Sequence, residues 1–245
     1  MQGSGERRGE NMRLDKYLSS YAGMTRKEAR QAVRRGVVQV DGSVVKSESE
    51  HVETGQQILL NGSEVQAEEF VYYMMNKPAG VITATKDARG KTVLDLMPEV
   101  KREIFPMGRL DKDTEGLLIL TDDGALAHRL LSPAHHVDKV YEVDYEGELP
   151  KTAVEDFAGG LDIGERRITK TARLELVAPG RARLTISEGK FHQVKRMFAV
   201  EETRVTGLKR TVFAGVYLDE SLAPGTYRRL TEVEVEQLRI GGNHG

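Results

Sequence analysis

The sequence predicts an α+β protein in two parts, a small helix–helix–hairpin module and a larger domain on a mixed, mostly antiparallel sheet. Three observations carry that reading. Near the N-terminus, one short segment shows apolar residues at helical spacing and the next opens on a capping box, each closed by a glycine. A polar stretch over 62–69 then reads as a linker. From residue 70 onward, short strand-like runs alternate with short helical ones, without an internal repeat.

Each element has its own signal. Residues 1–11 are polar and aperiodic and read as a disordered extension. Folded structure begins near Met12, with Leu14, Tyr17, Leu18 and Tyr21 on one helical face and Gly23 as the stop. Thr25 and Glu28 form a capping box for a second helix, which ends at Gly36. A hairpin follows around Asp41-Gly42, and 57–60 supplies one more strand, which closes a module over 12–61. In the larger domain, 70–245, strands are expected at 70–75, 81–85, 117–120, 140–145 and 182–187. Helices are expected at 125–131, ending before Pro133, and at 194–200.

Composition removes several function classes. There is no cysteine, so disulfides and thiolate metal sites are excluded. No apolar run approaches the roughly 20 residues that span a bilayer, so no membrane partner and a cytoplasmic location are expected. The net charge of −2 hides a local asymmetry, because between Arg13 and Lys46 eight basic residues face three acids. On the second helix Arg26, Lys27, Arg30 and Arg34 fall within an arc of about 100°. That face is the candidate polyanion contact.

The densest chemistry lies in MGRLDKDTEGLLILTDDG, residues 107–124. Asp111, Asp113, Glu115 and Gly116, with Asp122 further on, partly imitate a calcium loop. That loop wants a glutamate at its last position and flanking helices, whereas 117–120 looks like a strand. The alternative is a single fixed carboxylate, which can stabilise positive charge on a sugar or attack its anomeric carbon. A basic neighbour would keep such a group ionised and oriented.

GRLDKDTEGLLILTDDG resembles the signature of bacterial rRNA pseudouridine synthases, most of all those acting on small-subunit (16S) rRNA. MNKPAGVITAT, HHVDKVYEV and ISEGKFHQVKRMF are similar to further blocks of that family. The N-terminal module resembles the small RNA-binding domain shared with ribosomal small-subunit protein four. The resemblance implies that Asp111 is catalytic, that Tyr141 is the active-site tyrosine and that Lys195 pairs with Asp111. It implies isomerisation of a uridine, which needs no cofactor and no metal.

To be isomerised the target base must leave its stack, so a flat wall is needed, which Tyr141 can provide. Arg109 suits a phosphate or the flipped-out conformation, and His192 and Gln193 are expected to line the RNA site. Arg26, Lys27, Arg30 and Arg34 are expected to dock the RNA. The partner is then rRNA or a ribosomal assembly intermediate, and a monomer is expected. Two rivals stand beside this reading, a synthase acting on 23S rRNA and a noncatalytic ribosome-assembly protein.

Overall fold

The computed structural model describes residues 12–53, 55–65, 70–132 and 135–241. The expected extension 1–11, the 66–69 part of the linker and the stop at Pro133 lie outside the described residues. The chain divides into two compact units, Met1–Glu69 with Pro98–Glu103, and Phe70–Met97 with Ile104–Gly245.

In the smaller unit, β1 (Met12–Arg13) leads into α1 (Leu14–Tyr21) and α2 (Arg26–Arg34). The strands β2 (Val38–Val40), β3 (Ser43–Val44), β5 (Ile58–Leu60) and β6 (Ser63–Glu64) form an antiparallel sheet, and β4 (His51–Val52) pairs with β1. Leu14, Leu18, Ala29, Val33, Val38, Val52 and Ile58 make the core, so each helix turns one apolar stripe inward. The Thr25–Glu28 capping box is present in both directions. At the β2–β3 turn Asp41 and Gly42 both take positive φ, as a two-residue hairpin requires.

Two boundaries need correction. Ser63–Glu64 is a strand paired with β5, not linker. Asn61 and Gly62 supply the positive φ values of a second hairpin turn, and the sequence hid it because both residues of the following strand point to solvent. The module also continues past 61: Val65 is buried, and its carbonyl accepts from the Tyr17 hydroxyl at 3.0 Å. In addition, 98–103 belongs with this unit, where the Arg102 guanidinium lies 5.0 Å over the Tyr21 ring.

The larger unit holds β7 (Tyr72–Lys77), β8 (Phe105–Pro106), β9 (Glu115–Thr121), α3 (Gly124–Leu131), β10 (Lys139–Glu146) and α4 (Ala153–Gly159). These are followed by β11 (Arg173–Ala178), β12 (Arg181–Ile186), α5 (Gln193–Val200), β13 (Arg204–Phe213), β14 (Val216–Tyr217), β15 (Tyr227–Arg229) and α6 (Glu232–Ile240). Its sheet runs β11-β12-β10-β13-β9-β7-β15, with β14 on β13 and β8 on β9. The β9–β13 pair is parallel and the others are antiparallel, so the sheet is mixed and mostly antiparallel. Leu126 and Leu130 of α3 and Leu238 of α6 pack with Met74, Leu117 and Ile119 of the central strands. Elsewhere Phe157 of α4 meets Phe198 of α5 edge to face, centroids 5.3 Å apart.

The strand expected at 81–85 does not form. Pro78 and the positive φ of Gly80 turn the chain, Ile82 keeps only a single bridge to Thr92, and the Thr83 hydroxyl bonds elsewhere. Gly116 sits where β9 meets β13. A Cβ there would lie 2.3 Å from the Arg210 carbonyl oxygen, so only glycine permits this approach.

Candidate active site

The loop joining β8 to β9 carries Asp111, and three residues from the β7 side pin it. The Thr83 hydroxyl donates to the Leu110 carbonyl at 2.7 Å and accepts from the Leu110 N–H. The Gly80 N–H donates to the Lys112 carbonyl at 2.7 Å. Lys77, with no exposed surface, donates through Nζ to the carbonyls of Pro78, Lys112 and Thr114 at 3.0, 3.3 and 2.8 Å. Burial pushes the Lys77 ammonium down to about 8, against the pull of Asp113, Glu115 and Asp111. Leu110 and Thr114 are buried on either side, so Asp111 stands on a fixed turn.

Asp111 faces two basic groups from the α5 end. Lys195 Nζ lies 3.6 Å from Oδ2, and His192 Nε2 lies 3.6 Å from Oδ1. The expected Lys195 partnership is therefore shared. Lys195 makes its hydrogen bond to Asp113, at 2.5 Å, and meets Asp111 only at ion-pair distance. That bond holds the Asp113 carboxyl below its ordinary value. The calcium-loop likeness does not survive in three dimensions, because Lys195 stands between Asp111 and Asp113 and a strand begins at Glu115. Among the described residues no group of three or more His, Asp or Glu side chains is placed to hold a metal ion.

A pocket of about 860 Å³ opens beside Asp111, lined also by Arg109, Lys139, Tyr141, His192 and Arg210. Tyr141 is buried on β10, where its register partner on β13 is Arg210. Arg210 is 2% exposed, donates through Nε to the Leu117 carbonyl at 2.9 Å and lies 5.0 Å over the Phe213 ring. Burial lowers its affinity for the proton, and the neighbouring Tyr141 hydroxyl works against that. Lys139, two residues before Tyr141 and so on the same strand face, is pushed down to about 8 by burial and by Arg210.

The other expected site residues are scattered. Arg109 is exposed at the pocket. Gln193 lines it too, but its amide is held internally: Nε2 donates to Glu188 and Oε1 accepts from the Lys190 N–H, both at 2.9 Å. On α2, Arg26 and Arg30 reach back to Asp15, at 2.9 and 3.0 Å, and Arg13 joins them. Arg34 pairs with Glu48 at 2.9 Å, while Lys27 is exposed. The face is basic, but it also anchors a fully buried carboxylate. Sequence reasoning missed Lys77, Lys139 and Arg210. The signal for Arg210 was a cation in register with buried Leu208, two residues before it on one strand face.

Comparison with known proteins gives the family. Residues 71–200 match the RNA pseudouridylate synthase family model, and residues 12–58 match the S4 domain. The chain belongs to the RNA pseudouridylate synthase family, and it is an isomerase that makes pseudouridine in RNA. It is 46% identical to the RNA pseudouridine synthase YtzG of Bacillus subtilis (strain 168), covering 93% of this chain and 98% of that one. It is 42% identical to ribosomal small subunit pseudouridine synthase A of Yersinia pestis, covering 95% and 100%, and 40% identical to that of Escherichia coli (strain K12), covering 91% and 98%. A crystal structure of a pseudouridylate synthase matches with a TM-score of 0.66 at 39% identity, over 93% of this chain and 99% of that one.

Proposed function

We propose that the protein converts a specific uridine of small-subunit (16S) rRNA to pseudouridine, with Asp111 as the catalytic nucleophile or base. The observation that carries the chemistry is a carboxylate on a pinned turn, flanked by Lys195 and His192, at the edge of a pocket backed by Tyr141. Names of relatives at 40 and 42% identity support the small-subunit substrate.

The reaction breaks N1–C1′, turns the detached uracil and forms C5–C1′. Asp111 acts on the sugar or the base, with Lys195 facing its carboxylate at 3.6 Å. Tyr141 gives the uracil a flat wall and takes part in removing the C5 proton, which balances the proton gained at N1. The product is an isomer of the substrate, so no oxidant, energy source or cofactor enters. Arg109 and His192 contact the RNA at the pocket, and Lys27, with what Arg26, Arg30 and Arg34 leave uncompensated, contacts phosphates. The enzyme is taken to act as a monomer in the cytoplasm, on rRNA or an assembly intermediate.

Asp111→Asn keeps the shape and removes the charge. It should abolish pseudouridine formation while RNA affinity stays nearly unchanged, and turnover within about tenfold of wild type would sink the assignment. Mapping pseudouridine in rRNA from cells lacking the protein decides the substrate. Loss of a site in 23S rRNA, with 16S rRNA intact, would overturn the small-subunit reading.

A further inference from the structure

The pocket rim carries a feature that the reaction scheme does not use. Phe191 is 72% exposed, although it lies one residue from a side chain that faces Asp111. Its ring stacks on the His192 imidazole, with centroids 3.8 Å apart and planes 20° from parallel. This geometry is built rather than loose. His192 takes a left-handed backbone conformation, φ 49°, at the head of α5. The Phe191 carbonyl accepts from Arg196 Nη1 at 3.1 Å, and Gln193 holds the Lys190 N–H just before it. The result is a flat column that starts 3.6 Å from Asp111, passes through His192 and ends on an aromatic ring presented to solvent.

We propose that Phe191 is the stacking platform for the nucleobase next to the target uridine. When a uridine leaves its stack to enter the pocket, its neighbours lose a stacking partner, and an exposed apolar ring at the rim can replace it. Both surfaces are poorly hydrated flat faces, so their contact removes apolar area from water on both sides. Every base has a π-face, so the platform fixes which nucleotide sits at the pocket mouth without reading base identity. This inference rests on the uridine-isomerising pocket proposed above and extends the RNA contact to a residue that the reaction does not need chemically.

A double-mutant cycle tests it. The probe is a synthetic rRNA hairpin that the wild-type enzyme converts, made intact or with an abasic residue immediately 5′ or 3′ of the target. Binding is measured for wild type, Phe191→Ala, Phe191→Leu and Phe191→Tyr. Phe191→Ala should weaken binding of intact RNA by roughly 5- to 150-fold, the range for losing one stacked base. Phe191→Tyr should restore most of that and Phe191→Leu little of it. On the RNA abasic at the stacked position, Phe191→Ala should have no further effect.

The proposal is overturned if leucine serves as well as tyrosine, if alanine binds like wild type, or if the loss persists on both abasic RNAs. Since Phe191 is on the surface, Phe191→Leu also guards against a folding defect. If wild-type enzyme leaves small-subunit RNA unmodified, the substrate reading fails. The cycle is then run on the rRNA segment that does lose pseudouridine in deletion cells, and the platform stands or falls there by itself.

Discussion

Lys77 shows what a single buried residue does for Asp111. Its ammonium has no exposed surface and holds three carbonyls, two of them within three residues after Asp111. Lys77→Met keeps the bulk and removes the donors. Turnover should fall by about 10²-fold, the scale for misplacing a reacting group by an ångström, while RNA binding changes little. The wild-type pH profile follows from the same group. Near pH 8 the amine passes from three donors to two, so turnover should decline through that pH. Stability has the opposite sign. Between about 8 and 10.5 the native state has released a proton that the unfolded state still holds, so this contribution rises with pH and is lost as pH falls through about 8. Turnover and urea unfolding measured across this window check both limbs. A Lys77→Met enzyme with the wild-type rate and profile would show that the clamp does not matter.

Among the elements, α1 and α2 are joined by charge as well as by their apolar stripes. Asp15 on α1 is fully buried and takes hydrogen bonds from Arg13, Arg26 and Arg30. Burial alone would raise its carboxyl; Arg30, Arg13 and Arg26 more than offset this and hold it below its ordinary value. Asp15→Asn should destabilise the folded chain by about 2 kcal/mol, the scale for losing charge-assisted hydrogen bonds to a buried carboxylate whose arginine partners stay half in water. In wild type this support is complete above about pH 4 and fades as pH falls through the lower native value, an acid limb that Asp15→Asn lacks. Denaturant unfolding of both proteins against pH is the check, and equal stability would refute the anchoring role. Replacing Arg26 and Arg30 thus tests folding and RNA binding together. Lys27→Gln separates them, because it leaves Asp15 untouched and should flatten the salt dependence of RNA binding by about one unit of slope.

For the whole molecule, among the described residues no helix is long and apolar enough to cross a membrane. The reaction rearranges one nucleotide and needs no Lewis acid. Conversion of a short hairpin that folds in monovalent salt should therefore proceed at the full rate in excess chelator. A loss that calcium or magnesium restores on this hairpin would bring the cation reading of the acidic loop back.

Local signals carried much of the fold and part of the site into the sequence. The Thr25–Glu28 box, the Asp41-Gly42 turn and the apolar run 117–120 each act over a few residues, and they gave α2, the β2–β3 hairpin and β9. The stretch around Asp111 was legible for the same reason, since residue types a few positions apart report on one loop. By itself the sequence thus determined an α+β class, two parts, a basic second helix and a carboxylate loop. What it could not determine depends on distance along the chain. The hairpin at Asn61-Gly62 looked like linker until β5 was beside it. Only the tertiary structure decided that Lys195 divides itself between Asp111 and Asp113, or that Arg26 and Arg30 converge on Asp15. It alone placed Arg210, across from Gly116 on one side, beside Tyr141 on the other. Those pairings join residues up to 94 positions apart, as Gly116 and Arg210 are in their strand register. Charge and close packing act through space, where sequence periodicity carries no information.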